Sequence, residues 1–337
     1  MNKSLLEALK CTNSGRPPVW IMRQAGRYMP EYQALRKKHS LWQLFHEPEL
    51  AAQVTLLPID LLGVDAAIVF SDILVIAEAL GLSVVFPDKG GPRIEPAVST
   101  KSQVEKLLPF PVEEKLSYVF KTIDLVKKQL KVPLIGFCGG PFTIASYFID
   151  STSQDAFSRT KKWMKEDPQS FHLLLQKITD VTISYLKGQI KSGVDALQIF
   201  DSWLNQLEQE ERKTFAYPYL QQILDALRPT GVPTILFCRH SSLFPEELSL
   251  LKPSCISLDW HQPMDLLRTL VPHSIAVQGN LDPVILKLPK SEITSHVNKM
   301  IESMKGERGY IVNLGHGVTP DIPFDHVRHF VDLIIQA

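Results

Sequence analysis

The chain is poor in cysteine, has no excess of either charge and contains no long apolar run. Four cysteines, Cys11, Cys138, Cys238 and Cys255, are scattered over 337 residues. That spacing suits reduced thiols, not a disulfide framework. Basic and acidic side chains number 36 each. Such a balance argues against a general binder of nucleic acid or membrane surfaces, while allowing a local basic pocket. No apolar stretch reaches the roughly 20 residues that span a bilayer. The start, Met1-Asn2-Lys3-Ser4, lacks the apolar region of a signal peptide. The cytoplasm is therefore the expected compartment. No Gly/Ser-rich linker interrupts residues 1–337, which are expected to form one domain. What is present is a 45% hydrophobic composition, enough for a sizeable core.

Apolar spacing of helical type marks 3–10, 47–62, 102–109, 113–130, 154–192 and 210–227. Between them, seven short apolar runs read as buried strands: 63–70, 132–138, 193–200, 233–237, 255–258, 275–278 and 310–313. Polar residues or glycine follow each run. Residues 63–72 and 193–202 share a layout, opening on Gly-Val-Asp-Ala and ending on Phe with Asp and Ser close behind. Strands separated by helices imply parallel pairing through right-handed crossovers. Seven is close to eight, so a (β/α)8 TIM-type barrel is expected, with active residues at the C-terminal ends of its strands. No run qualifies as the eighth strand. An open doubly wound sheet is the alternative, but the first strand lacks a Gly-x-Gly-x-x-Gly turn. A hairpin is expected over 82–96, turning at Asp88-Lys89-Gly90-Gly91-Pro92.

One stretch stands out, Pro17-Pro18-Val19-Trp20-Ile21-Met22-Arg23-Gln24-Ala25-Gly26-Arg27. Two prolines and an apolar run lead into two guanidinium groups four residues apart. In a helix, positions four apart share a face. In a turn, Gly26 permits tight geometry and exposes backbone amides. Either way Arg23 and Arg27 can aim two forks at one carboxylate or phosphate. The plainer reading is a pair of surface arginines, against which Trp20, Ile21 and Met22 suggest anchoring on a core.

Other candidates sit at strand ends. Asp72 follows the first run, although an isolated aspartate there is also a common helix cap. A cap is the simpler reading of Asp201-Ser202. Residues 136–147 read as strand, glycine turn and proline-led helix, whose first amides can hold an anion. Tyr147 falls about two turns into that helix. His316, between Gly315 and Gly317, is open to a ligand or is a structural histidine bonded to backbone.

PPVWIMRQAGRY closely resembles the N-terminal signature of the uroporphyrinogen decarboxylases of the haem pathway. Gly136-Phe137-Cys138-Gly139-Gly140-Pro141-Phe142-Thr143 resembles their second signature, and the likeness runs from Pro17 to about His326. It implies a cofactor-independent carboxy-lyase that removes the four acetate carboxyls of uroporphyrinogen III, giving coproporphyrinogen III and CO2. It also implies a homodimer whose partner molecule is a tetrapyrrole, with no metal, nucleic acid or membrane. Phe70-Ser71-Asp72-Ile73 matches the segment holding the family's central catalytic aspartate, which assigns that role to Asp72. By the same likeness Arg23, Gln24, Ala25, Gly26, Arg27, Tyr147, Ser202 and His316 bind substrate. Arg36 aligns with an arginine that does so in some members. After the tyrosine the family commonly has Glu-Gly, whereas Asp150-Ser151 stands here.

Two other classes compete. Cys238, His240 and Cys255 offer two thiols and an imidazole, and zinc-dependent methyltransferases on a related barrel use such a set. Their order is His-x-Cys, however, and here it is Cys-x-His, which favours cysteines packed in strands. A non-enzymatic porphyrin carrier is the third class, separated from the first by turnover.

Overall fold

The computed structural model describes residues 2–87, 91–151 and 157–337. Its strands are β1 (Ala67–Ile68), β2 (Ser83–Val85), β3 (Arg93–Glu95), β4 (Leu134–Gly139), β5 (Ala196–Phe200), β6 (Thr234–Phe237), β7 (Cys255–Ser257), β8 (Ala276–Leu281) and β9 (Tyr310–Leu314). Seven of them form one parallel sheet in the order β1-β4-β5-β6-β7-β8-β9. Helices connect consecutive members, as short parallel strands require. This curled sheet, with helices packed outside it, is the TIM-type α/β architecture expected from the run count. Strands β2 and β3 pair antiparallel as the expected hairpin outside the ring. Its turn residues Asp88, Lys89 and Gly90 lie outside the described residues, as do residues 154–156 of the expected 154–192 helical stretch.

The eighth position in the ring belongs to the proline-led stretch itself. Val19 forms a parallel bridge to Val312 of β9. The Val312 N–H donates to the Pro18 carbonyl at 2.9 Å, and the Trp20 N–H donates to the Val312 carbonyl at 3.4 Å. On the other side the Asp65 N–H donates to the Val19 carbonyl at 2.7 Å. Residues 18–20 thus close the ring between β9 and β1.

The repeated Gly-Val-Asp-Ala explains how. Asp195 donates its N–H to the Leu134 carbonyl at 2.8 Å. In return its carboxylate accepts the Leu134 N–H at 2.8 Å and the Lys127 ammonium at 2.7 Å. Asp65 repeats this: its carboxylate accepts the Val19 N–H at 2.8 Å and both terminal nitrogens of Arg16 at 2.7 and 3.0 Å. In each case an aspartate just before a strand fastens the start of the preceding strand. Asp65 is buried, so removing it would strand a guanidinium and a backbone N–H. Asp65→Ala should cost about 2 kcal/mol, because it leaves the buried Val19 N–H without an acceptor and a half-buried guanidinium without its partner. Urea unfolding at pH 7 measures this, and a midpoint within error of wild type would show that the closure is not held by Asp65.

One expected strand is shorter than its apolar run. The run 63–70 contributes only two strand residues, because the Phe70 N–H leaves the ladder and donates to Thr55 Oγ1 at 2.9 Å. Two apolar layers result. Trp20, Ile135, Ala196, Ile235, Cys255, Ala276 and Ile311 fill the inside of the ring, while a larger cluster lies between the ring and its helices. Polar side chains join the inner layer: Trp20 Nε1 donates to Gln278 Oε1 at 2.8 Å, and Gln278 Nε2 donates to Ser257 Oγ at 3.0 Å.

Candidate active site

A cavity of about 320 Å³ opens where the strands finish. Arg23, Gln24, Ala25, Asp72, Tyr147, Ser202 and His316 all line it. A larger cavity of about 990 Å³ lies where the strands begin, walled by 13–17 and 298–308. Of these lining residues Arg16 is already committed to Asp65. Barrel chemistry is carried by the loops after the strands, so the smaller cavity is the candidate site.

The arginine segment is a turn, not a helix. Gln24 sets it: its Oε1 accepts the Ile21 N–H and its Nε2 donates to the Ala66 carbonyl, each at 3.1 Å. The Gln24 amide is therefore spent on backbone, and this residue shapes the site from within the wall. Met22 is tied to β9 through its N–H, which donates to Asn313 Oδ1 at 3.0 Å. The tight backbone falls on Arg23, with φ of +62°, and not on Gly26. A left-handed non-glycine residue costs about 1 kcal/mol or more, so the surrounding bonds must hold it. Arg23 lines the cavity, whereas Arg27 lies outside its lining, though near enough for the two charges to repel. Gly26 is likewise outside the lining. Arg36 is spent elsewhere, donating to the His39 carbonyl at 2.7 Å.

Asp72 enters at the end of the β1 segment. Its Oδ1 accepts the Leu74 N–H at 2.8 Å, so it does cap the short turn that follows. Burial raises its pKa to about 6, against the pull of that N–H and of Arg23, and Glu78 adds repulsion. Arg23 is in turn held below its ordinary value, first by burial and then by Arg27, while Tyr147 and Asp72 act the other way. The cavity thus holds a carboxylate near its midpoint beside a fixed cation.

Tyr147 projects from the helix Pro141–Asp150, and its ring packs edge-on to Phe157 at 5.9 Å. That helix is capped from outside: Asp201 Oδ1 accepts the Thr143 N–H at 3.0 Å and its hydroxyl at 2.6 Å. A Cβ on Gly140 would lie 2.4 Å from the Asp201 carboxyl carbon, which is why glycine precedes the helix. Asp201 is therefore structural, leaving Ser202 to face the cavity. The departure at Asp150-Ser151 is absorbed locally. Asp150 accepts the N–H groups of Arg159 and Thr160 at 3.2 and 3.0 Å, capping the next helix. Ser151 takes the left-handed position, φ +64°, that glycine fills most readily.

His316 follows β9, and its two glycines make room for protein, not ligand. A Cβ on Gly315 would fall 2.6 Å from Trp260, and one on Gly317 2.4 Å from Arg23 Cδ. Burial, with Arg23 and Arg239 adding repulsion, lowers the His316 pKa to about 4, so the ring is neutral at pH 7. The Gly317 contact yields a test. Gly317→Ala should push the flexible Arg23 side chain aside and lower kcat/KM about tenfold or more, the effect of misplacing a positioned group. Wild-type kcat/KM in a normally melting variant would show that Arg23 need not lie there.

Two features were not legible as site residues. Phe137, Phe200 and Phe237 line the cavity as a continuous edge-to-face floor, with neighbouring centroids 5.5 Å apart, and Phe237 meets His316 at 6.0 Å. In sequence they are indistinguishable from core. Arg239 stacks on Trp203 at 4.1 Å and acts on His316. The zinc alternative meets a geometric obstacle: Cys238 packs in the outer layer and Cys255 in the inner one, on opposite sides of the sheet. Among the described residues no three His, Cys, Asp or Glu side chains are placed to hold a metal ion.

A parallel barrel whose mouth joins an arginine, a half-buried carboxylate and a neutral histidine over an aromatic floor has the make-up of an enzyme site. The family model described as "Uroporphyrinogen decarboxylase (URO-D)" matches residues 1–336. A uroporphyrinogen decarboxylase of Protochlamydia amoebophila is 48% identical over 333 residues, covering 99% of this chain and 91% of that relative. One from Thermus thermophilus is 39% identical over 337 residues, covering 100% and 98%. Among solved structures, a methyltransferase from Methanosarcina mazei superposes with a TM-score of 0.85 at 18% identity, covering 99% and 98%, which shows a shared fold. The chain belongs to the uroporphyrinogen decarboxylase family.

Proposed function

We propose that this chain is a uroporphyrinogen decarboxylase, a lyase that converts the four acetate side chains of uroporphyrinogen III to methyl groups, releasing CO2 and coproporphyrinogen III. The observation that carries this reading is Asp72 and Arg23 in one aromatic-floored cavity, in a chain that matches the family over its whole length. An alkyl acetate resists losing CO2 because the electron pair left behind has no sink. Protonating the pyrrole at a ring carbon makes a cationic iminium that takes up this pair; a second proton then turns the exocyclic methylene into methyl, and loss of the first proton from the ring carbon restores the pyrrole. The substrate supplies its own sink, so the reading calls for no cofactor.

Within this scheme Asp72 accepts the pyrrole N–H groups and stabilises the cation that forms beside it. Arg23 binds a substrate carboxylate, and Arg27 does so from the rim. Tyr147, Ser202 and neutral His316 orient the remaining side chains by hydrogen bonds. Gln24, Ala25 and Gly26 set the backbone that carries the arginines. The three phenylalanines support the apolar face of the macrocycle. At about 320 Å³ the cavity lies at the lower end of ligand-pocket volumes. The tetrapyrrole therefore extends into the open mouth and presents one pyrrole at a time to Asp72.

We read residues 1–337 as one domain that works as a cytoplasmic homodimer. Consistent with this, no described helix is long and apolar enough to cross a membrane. The deciding assay is anaerobic incubation of the purified protein with reduced uroporphyrinogen III, without added cofactor and with chelator present, products being separated by carboxyl number. Products with seven down to four carboxyls are expected. Bound but unchanged substrate would favour the carrier, and zinc-dependent turnover the methyltransferase-like class.

A further inference from the structure

We infer that Arg239 is a third guanidinium for substrate carboxylates, held beside the cavity by the Trp203 ring. This rests on the reading of the site as one for a polycarboxylated tetrapyrrole. Arg239 lies two residues beyond β6, whose last residue, Phe237, forms part of the cavity floor. Its guanidinium carbon sits 4.1 Å from the Trp203 ring centre. Trp203 follows the cavity residue Ser202, and it cannot swing freely. Its backbone N–H donates to Thr143 Oγ1 at 3.0 Å, and its ring packs against Phe157 at 5.0 Å. The platform is thus fixed from two directions.

The other enclosed arginines are spent. Arg16 holds Asp65, Arg212 holds Glu247, and Arg268 donates to the carbonyls of Ile275, Val271 and Pro272. Arg239 differs, because among the described residues its guanidinium makes no hydrogen bond or ion pair and its Nε is buried; Arg268 also has an unpaired Nε, but its terminal nitrogens are committed to carbonyls. A buried donor left unpaired is costly, and a guanidinium stacked on indole retains its in-plane donors for a planar acceptor. The shared surroundings locate that acceptor. Arg23 and Tyr147 both act on Arg239, and Arg23 and Arg239 both act on His316. These groups therefore lie within electrostatic reach of one another beside the cavity that Arg23, Tyr147 and His316 line, where two cations repel each other until an anion arrives. A substrate bearing eight carboxylates supplies it, and charge-assisted forks of this kind bind carboxylate strongly.

The test uses the full chain and oxidised uroporphyrin I as a fluorescent, unreactive probe, beside turnover of uroporphyrinogen. Arg239→Gln should raise the probe Kd and the substrate KM about tenfold or more, the cost of one charge-assisted contact. Its kcat should change less than about threefold, since the contact is made equally in ground and transition states. Arg239→Lys should recover part of the loss. Kd and KM within about twofold of wild type, or a fall in kcat at unchanged KM, would overturn the assignment. Should the glutamine variant melt early, the lysine variant decides: a wild-type KM there overturns it. Wild-type protein that binds the probe without decarboxylating would sink the enzymatic reading alone, and the Kd comparison would still judge Arg239.

Discussion

Asp72→Asn should lower kcat for the first decarboxylation by about 100-fold or more, the scale of losing one preorganised electrostatic contact. Asparagine keeps the size and the oxygen that accepts the Leu74 N–H. It removes the charge and sets an N–H₂ donor against the pyrrole N–H groups. Asp72→Glu keeps the charge but moves it by one methylene, so it should fall between asparagine and wild type. Stability should not follow activity. The folded-state pKa of about 6 lies above the ordinary 3.8. The folded protein therefore holds the Asp72 proton more tightly than the unfolded chain does. Stability contributed by this group falls as pH rises from about 4 to 6 and stays low above that. Removing the charge relieves that strain, so Asp72→Asn should melt at or above the wild-type temperature at pH 7. The same pKa sets the activity profile. With ionised Asp72 required in the free enzyme, kcat/KM should drop as pH falls through about 6. The residual activity of Asp72→Asn should lack this inflection. An asparagine variant that melts normally and turns over at the wild-type rate would remove Asp72 from the mechanism.

Arg23→Lys is expected to be nearly as damaging, with kcat/KM down about 100-fold. Arg23 lines the cavity, acts on Asp72 and lies across Gly317. A lysine keeps the charge, but its ammonium cannot reproduce a planar two-point contact with carboxylate. It would also have to reach the same place from a backbone at φ +62°. Arg27→Lys should cost less, about tenfold, because this residue lies outside the cavity lining and its contact at the rim is screened by water. The ranking is the informative result. Equal losses at both positions would restore the picture of two forks on one anion, and near-wild-type kcat/KM in Arg23→Lys would end its bidentate role.

The seven ring strands were legible because each is buried on both faces and so reads as an unbroken apolar run. The repeated Gly-Val-Asp-Ala was visible too, and its two aspartates do the same job. Hydrogen-bond needs of one or two residues decide such local features, and those needs are written in the residues themselves. Asp72, Ser202 and His316 at strand ends, and Tyr147 on the helix after β4, were picked out by the family resemblance, and they line one cavity because a barrel sends every strand end to one mouth.

What the sequence could not carry was the outcome of closing the ring. Residues 18–20 pair through a single bridge in a proline-led stretch, which has no strand period to detect. Closure sets Arg23 against Gly317, nearly three hundred residues on, and divides the two arginines into one lining the cavity and one outside. It also turns Gln24 from a candidate ligand into a backbone clamp, through a carbonyl that only folding brings near. Arg239 was hidden for the same reason, because its stacking partner Trp203 follows a different strand. Periodicity records which face of an element is buried, while the charges that meet across the mouth are fixed by register and ring closure.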